Sequence, residues 1–283
     1  MISAPRLSII IPVRNEQHTI TSLLRSLARQ DMLSETQVVV VDGRSEDATR
    51  DVISGFPFVR LVSSEPGRAR QMNAGAGHAL APVLWFLHSD STLSERNCIN
   101  AILGALADPA VAGGAFRFRL RGDDAYYRFV TALVNLRSRL FHRHYGDQGI
   151  FTKADVFREI GGFLEDEPCE DLDFVLRLRQ RGRFVLLDQA VETSARTWQK
   201  YGKWRTTMWH IGEWLRFEWR RLTSPRSAEP SQLPEPEMPS ETARGGAAPE
   251  PVELRETGAG IAAPTLPSAS SAPPPPAAPA PMP

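Results

Sequence analysis

Two short runs, Ile9-Ile10-Ile11-Pro12-Val13 and Val38-Val39-Val40-Val41, are apolar on both alternating faces and end abruptly in polar residues. A strand of that kind is stable only when helices cover both faces, so the chain is constrained to a sheet sandwiched between helical layers. Leu7–Val13 reads as the first strand, and Glu16–Gln30 as the first helix, with Ile20, Leu23, Leu24 and Leu27 at helical spacing. Gln37–Val41 is the second strand, and Ser45 is placed to cap a helix over Glu46–Ser54. Phe58–Ser63, Arg68–Leu80 and Val83–Leu87 continue the pattern as strand, helix and strand. This alternation predicts an α/β fold with a parallel, doubly wound sheet. Later, Val111–Leu120 reads as a strand, Ala125–Phe141 as a helix and Arg183–Asp188 as a strand, so the second half is expected to be mixed.

From about Thr223 the periodicity stops. The remainder is rich in proline, alanine, serine and glutamate and closes with a run from Pro273 to Pro276. Such a composition buries too little apolar surface to offset its ordering entropy, so 1–222 is expected to be the folded domain and 223–283 a disordered tail. The 33 basic and 33 acidic residues cancel overall, but the tail holds seven glutamates and three arginines. Removing these leaves 30 basic against 26 acidic residues in the folded part, a mild excess that suits a phosphate-bearing ligand or an anionic surface and argues against nucleic acid. Cys98 and Cys169 form no C-x-x-C pair, as expected of a reduced cytoplasmic protein. No apolar stretch approaches the ~20 residues of a spanning helix and no signal peptide is legible, so any membrane association is expected to be peripheral, at the inner face.

In doubly wound sheets, ligands bind beyond the carboxyl ends of the strands. Asp42 follows four valines directly, where its carboxylate either accepts hydrogen bonds from a nucleobase or ribose or closes an Asp42-Gly43 turn. At the next strand end, His88-Ser89-Asp90 offers a carboxylate for a divalent cation (Mn²⁺ or Mg²⁺). His88, two residues earlier, either shares that ion or is a rim residue. Gly67-Arg68-Ala69-Arg70-Gln71-Met72-Asn73 opens the third helix with two arginines in its first turn, a site for a diphosphate or a solvated basic face. Gly75-Ala76-Gly77 mimics part of a dinucleotide fingerprint but lies inside a helical pattern and is read as helix packing. Three acids, Glu170, Asp171 and Asp173, begin another helical repeat. They either complement its dipole or place a general base at the crevice.

Five of the six tryptophans fall between Trp198 and Trp219, among arginines and lysines. A helix over about 199–221 is expected, either lying on a bilayer surface or packing its Met208, Ile211, Leu215 and Trp219 stripe onto the domain.

Ser8 to Glu16, Asp42 to Thr49, Gly67 to Gly75, His88-Ser89-Asp90, and Gly161-Gly162-Phe163 leading to Glu170-Asp171 together resemble the family 2 glycosyltransferases in order and spacing, over about residues 7 to 190. The resemblance implies a GT-A fold with a mixed, mainly parallel central sheet flanked by helices, a nucleotide-diphosphate sugar donor, a divalent metal and inversion at the anomeric carbon. It further implies donor contacts from Pro12, Arg14, Asn15, Glu16, Asp42, Arg44, Arg68, Gln71, Asn73, Ser89 and Asp90, a metal at Asp90 and His88, and catalysis by Asp171 with Glu170. Gly114, Asp147, Gln148, Arg196 and Trp198 are expected at the acceptor side, the acceptor itself being unidentified, with a lipid-linked molecule as one candidate. His-x-Asp, Gly146-Asp147-Gln148-Gly149 and Thr193-Ser194-Ala195-Arg196 are similar to a bacterial subgroup called selenodomain-associated transferase 2. Two departures stand out: His88 replaces the usual aspartate of the metal motif, which shifts metal preference away from magnesium, and Arg44 interrupts the usual Asp-Gly-Ser. The alternatives are an inactive nucleotide-sugar-binding protein and a sugar nucleotidyltransferase. A dehydrogenase is disfavoured because Pro12-Val13-Arg14-Asn15 lacks a glycine-rich first turn.

Overall fold

The computed structural model describes residues 4–141, 144–167 and 169–223, and the expected tail lies outside them apart from Thr223. Eight strands form one sheet in the order β3-β2-β1-β4-β7-β6-β8-β5. They are β1 (Leu7–Val13), β2 (Thr36–Asp42), β3 (Val59–Ser63), β4 (Val83–Phe86), β5 (Ser91–Leu93), β6 (Val111–Leu120), β7 (Phe151–Lys153) and β8 (Arg183–Thr193). β3, β2, β1 and β4 are parallel, as the sequence predicts. β7 runs antiparallel to both β4 and β6, β8 is parallel to β6, and β5 is antiparallel to β8. β4 and β5 are four strands apart in the sheet yet joined by Leu87 to Asp90 alone. A flat sheet would separate them by roughly 19 Å, about the full reach of that connection, so the sheet must curl.

The two-faced apolar pattern of β1 is used as expected. Leu7, Ile9, Ile11 and Val13 pack with α1 (Ile20–Leu27) and α4 (Cys98–Leu106), whereas Ile10 faces α3 (Arg68–Gly77), α6 (Ala154–Glu159) and α7 (Glu170–Leu178). Phe163, after the Gly161-Gly162 turn, stacks on Phe174 with centroids 4.3 Å apart and anchors the start of α7. A third cluster joins Phe118 and Leu120 to α5 (Ala125–Phe141) and α8 (Arg196–Tyr201).

Several boundaries differ from the sequence reading for identifiable reasons. α1 begins at Ile20 rather than Glu16, because Asn15 takes a left-handed backbone (φ 56°) and the loop after it bonds to neighbouring side chains. α2 (Thr49–Ser54) starts three residues late and has no side-chain cap, since the Ser45 hydroxyl instead accepts from the Asn15 amide at 3.0 Å. β8 does not stop at Asp188: Asp188 and Gln189 form a bulge between the Phe116–Leu187 and Arg117–Ala190 pairs, and the strand resumes to Thr193. The C-terminal helix is two helices, α8 and α9 (Lys203–Thr223), broken at Gly202 with φ 91°. Its Met208, Ile211, Leu215 and Trp219 stripe faces outward and does not pack on the domain.

Gly75 is a packing residue: a Cβ there would overlap the side chains of Ile10 and Val41, whereas one at Gly77 would meet nothing. Gly75→Ala is therefore expected to destabilise the fold by about 1–3 kcal/mol through overpacking, and Gly77→Ala to be neutral or stabilising by up to about 1 kcal/mol. Denaturant melts of the two variants, compared with the parent, check the contrast.

Candidate active site

The carboxyl ends of β1 and β2 are sewn together by their loops. Asn15 Oδ1 accepts from the Glu46 amide at 2.8 Å, the Glu16 amide donates to Thr49 Oγ1 at 2.7 Å, and the Ala48 amide donates to Gln17 Oε1 at 2.9 Å. Asp42 is buried and accepts from Arg50 Nη1 at 2.8 Å and the Ser45 amide at 3.2 Å. Pro12 is buried within β1, and Arg14 is exposed at the rim. Arg44, left-handed at φ 60°, pairs with exposed Glu65. Glu16 accepts from the Thr19 hydroxyl and lies 3.5 Å from Arg196 at the start of α8.

On the other flank, helices α3 and α7 begin side by side. Arg68 forms an ion pair with buried Glu170 and feels Asp171 and Asp147 as well; against the opposing effect of burial, these charges raise its guanidinium pKa further. Asp171 is buried, with Oδ2 accepting from the Gly146 amide and Oδ1 from the Leu172 amide, each at 2.7 Å. Asp173 takes a different part: it holds Arg177 at 2.7 Å, and Arg177 in turn donates to the carbonyls of Ile160 and Gly162. Of the three acids that open α7, one therefore fixes a turn, one neutralises Arg68, and Asp171 is held by main-chain donors.

The turn over Gly146–Gln148 closes the site. A Cβ on Gly146 would lie 2.5 Å from His88 Nε2 and 3.3 Å from Asp171 Oδ2, so glycine is needed where the two side chains converge. Burial, with Asp171 and Asp90 nearby and Arg137 and Arg68 opposing, pushes the Asp147 carboxyl up to about 7. Desolvation and the charge of Arg68 pull His88 down to about 4 although Asp171 opposes them, so its ring is neutral near pH 7. Burial and the charge of Glu16 raise Asp90, and Arg196 and Arg121 moderate the rise. Asp147 Oδ1 and His88 Nε2 are buried without hydrogen-bond partners among the described residues. The spatial grouping is therefore Asp171, Asp147, Asp90, Arg68 and His88, with Glu16 and Arg196 beside Asp90. A cavity of about 390 Å³ opens on the Arg68 side, lined by Gly67, Arg68, Arg70, Glu165 and Glu170.

Other expected site residues are placed elsewhere. Gln71 donates from Nε2 to the carbonyls of Val13 and Val41 at 2.8 Å, stapling the ends of β1 and β2. Asn73 exchanges two hydrogen bonds with the main chain of Phe163, at 2.8 and 2.9 Å. Gln148 is fully buried, donating to the Phe116 carbonyl at 3.0 Å and accepting from Ser138 and the Tyr145 amide. These amides hold loops in place and do not face the cleft. Gly114 is likewise no acceptor loop residue: it lies inside β6, where a Cβ would overlap Val185 and Phe151. Trp198 donates to Thr207 Oγ1 at 3.1 Å and stacks on His210, which turns it toward α9. Ser89 is buried in the turn before β5, whose Ser91 amide donates to the His88 carbonyl at 3.1 Å. Arg121 and Arg137 are electrostatic members of the site that no motif flags.

His88 and Asp90, expected to share one cation, both follow the end of β4. β4 ends at Phe86, so the two residues sit in a turn and not on one strand face, and their charged neighbours differ. Among the described residues no three His, Cys, Asp or Glu side chains form a cation cage. Asp90, with Glu16 beside it, offers the hard oxygen ligands that suit a divalent ion such as Mn²⁺ or Mg²⁺.

Comparison with known proteins bears on this geometry. Residues 8–162 match the family described as Glycosyl transferase family 2. A PGL/p-HBAD biosynthesis glycosyltransferase of Mycobacterium bovis (strain BCG / Pasteur 1173P2) is 31% identical over 187 residues, 62% of this chain and 70% of that protein. A probable glycosyltransferase of Bacillus subtilis (strain 168) is 21% identical over 237 residues, 73% of this chain. Among solved structures, a mannosyltransferase from Pyrobaculum calidifontis in complex with GDP-Man and Mn²⁺ superposes with a TM-score of 0.54 at 21% identity over 67% of this chain. The S. aureus protein TarS (1-349), in complex with UDP-GlcNAc, gives 0.53 at 20% over the same share of this chain and 58% of its own. The chain spans 55% of the length of the Bacillus protein and 57% of the Pyrobaculum structure. With the fold of GT-A enzymes and a family match that runs from β1 through the Gly161-Gly162 turn, the chain belongs to the family 2 glycosyltransferases.

Proposed function

We propose that the chain transfers a sugar from a nucleotide-diphosphate donor to an acceptor hydroxyl with inversion, Asp171 acting as the base. The observation that carries this reading is that three distant segments meet at Asp147, which feels the charges of both Asp171 and Asp90, with Arg68 close to Asp171 and Asp147 and the Gly146 amide bonded to Asp171. The carboxyl ends of β1 and β2 and the loops that follow them, with Pro12, Arg14, Asn15, Glu16, Asp42 and Arg44, are the natural seat of the nucleoside. Arg68, at the N-terminus of α3, is placed to meet the diphosphate. Donor complexes of the structural neighbours with GDP-Man and UDP-GlcNAc support a donor of this class.

In the transfer, the acceptor oxygen forms a bond to the anomeric carbon as the bond to the diphosphate breaks, and the leaving group departs with the electron pair. The hydroxyl proton passes to Asp171. Each of its oxygens accepts one amide N–H and keeps a second lone pair, so the carboxylate is oriented without being saturated. Glu170 keeps Arg68 extended toward the site as a positioning residue. Asp90 would hold a divalent cation, which would supply positive charge to stabilise the departing diphosphate. The acceptor is proposed to be lipid-linked, with the protein peripheral at the cytoplasmic face of a membrane.

Asp171→Asn keeps the shape of the side chain and one amide contact through its carbonyl but removes the base. Turnover is expected to fall about 10²–10⁴-fold with donor affinity nearly unchanged, measured by single-turnover transfer and calorimetry. Normal transfer by this variant would overturn the assignment. In a panel of UDP-, GDP- and TDP-sugars with Mn²⁺, the true donor at about 100 times its Kd should stabilise the protein by about 2.7 kcal/mol. The Mn²⁺-dependent part of that shift should vanish in Asp90→Asn.

Burial holds the Asp147 carboxyl at about 7 in the folded protein, against an ordinary value of 3.8. Between those values the native state holds the proton that the unfolded state has released, so its contribution to stability is present below about pH 4 and is lost as pH rises toward 7. Asp147→Asn lacks this dependence. Thermal melts should therefore show the variant gaining on the parent as pH rises from about 4 to 7, and a difference independent of pH would contradict the raised pKa.

A further inference from the structure

The surface formed by α5 and α9 is unlike the rest of the molecule. Phe129, Leu133, Leu136 and Leu140 recur at four- and three-residue steps along α5, and all face solvent, from 43% exposed at Leu133 to 63% at Leu140. Trp204, Met208, Ile211, Leu215 and Trp219 repeat the same spacing along α9, from 36% exposed at Ile211 to 70% at Trp219. The two helices are neighbours: the Tyr126 hydroxyl bonds to the Lys203 carbonyl at 3.0 Å and to Thr207 Oγ1 at 2.7 Å, and its ring meets Trp204 at 5.3 Å. α9 packs inward through a different face that includes Thr206 and Phe217, so the outward stripe is not an unused core face.

Charge distinguishes among the possible occupants. Apart from Arg137 and Arg196, which belong to the cleft, α5, α8 and α9 carry eight arginines and lysines against two glutamates, Glu213 and Glu218, in a chain whose formal charge is zero. A second copy docked face to face would bring two such cationic surfaces together, a repulsion that burial of the stripes would have to overcome. An anionic bilayer removes that conflict. Indoles and leucines enter the boundary between headgroups and acyl chains while the basic residues lie against lipid phosphates, and aromatic residues are favoured at that depth. Among the described residues no helix is long and apolar enough to cross a membrane, so the contact is one of lying on the surface.

We propose that the solvent-facing stripes of α5 and α9 form a single docking surface for an anionic lipid bilayer. It deepens the reading of the acceptor as lipid-linked, because α8 joins this surface to the cleft through Arg196 beside Glu16. Co-sedimentation of the full chain with vesicles of phosphatidylcholine, alone or mixed with phosphatidylglycerol, tests it. Binding is expected with the anionic vesicles at low salt, weakening at high salt and accompanied by a blue shift of tryptophan emission. Leu136→Ser combined with Leu140→Ser, on the helix without tryptophan, should weaken binding about tenfold or more while leaving the melting temperature and donor-induced stabilisation unchanged. Absence of binding to the anionic vesicles at low salt would overturn the proposal, as would a lipid-independent dimer dissolved by the same two substitutions. Because donor stabilisation is read separately, failure of the surface and failure of the sugar-transfer reading are told apart.

Discussion

Carboxylates held out of water near one another are tolerated only if something compensates them, and in this protein the compensation comes largely from the starts of two helices. Asp171 is satisfied by two main-chain N–H groups, one of them in the first turn of α7, and Arg68 opens α3 beside it. The Arg68–Glu170 pair joins residues 102 apart in the chain, and the Asn73–Phe163 exchange, one turn deeper, joins residues 90 apart. Were the two helix starts to separate, Asp171 and Asp147 would lose the charge of Arg68 while remaining buried. The geometry of the cleft and the docking of the second half onto the first are thus one constraint.

The fold was legible where a single periodicity ran uninterrupted. β1, β6 and α5 match their predicted bounds, since a strand apolar on both faces or a helix with a continuous stripe carries its own signal. β8 was legible only as far as Asp188, because a bulge places two polar residues in mid-strand, with Asp188 pairing to Arg117 outside the sheet. The short strands β5 and β7 escaped because three residues carry no period, and their pairing depends on curl of the whole sheet. α4 carries the helical signal in Ile99, Ile102 and Leu106, which are buried, but it is short and lies between strands without a cap to mark its start.

Site residues were legible by chemistry but not by direction. Gln71, Asn73 and Gln148 have the donors and acceptors that a ligand needs, and those same groups serve equally well to satisfy buried carbonyls. Sequence spacing cannot distinguish the two uses; a carbonyl such as that of Val13 or Phe116 at 2.8 or 3.0 Å does. His88 illustrates the reverse case. Alternation along a strand would put it beside Asp90, but the chain turns after Phe86, and its ring comes to rest against Gly146 in the company of Asp171 and Arg68. A neutral imidazole in that position bears on the surroundings of Asp171 rather than on those of Asp90.

The C-terminal helices show how far an amphipathic pattern can be taken. Spacing alone establishes that Met208, Ile211, Leu215 and Trp219 share a face, but a stripe of that width is equally suited to a core. What decides its direction is a residue outside the stripe: Gly202, with φ 91°, breaks the helix so that α8 turns Arg196 toward Glu16 while α9 lies against Tyr126. Once Thr206 and Phe217 are committed to the interior, the stripe has only solvent to face. The break at Gly202 therefore separates a helix that sets Arg196 beside Glu16 from one that presents Trp204, Trp209 and Trp219 to solvent.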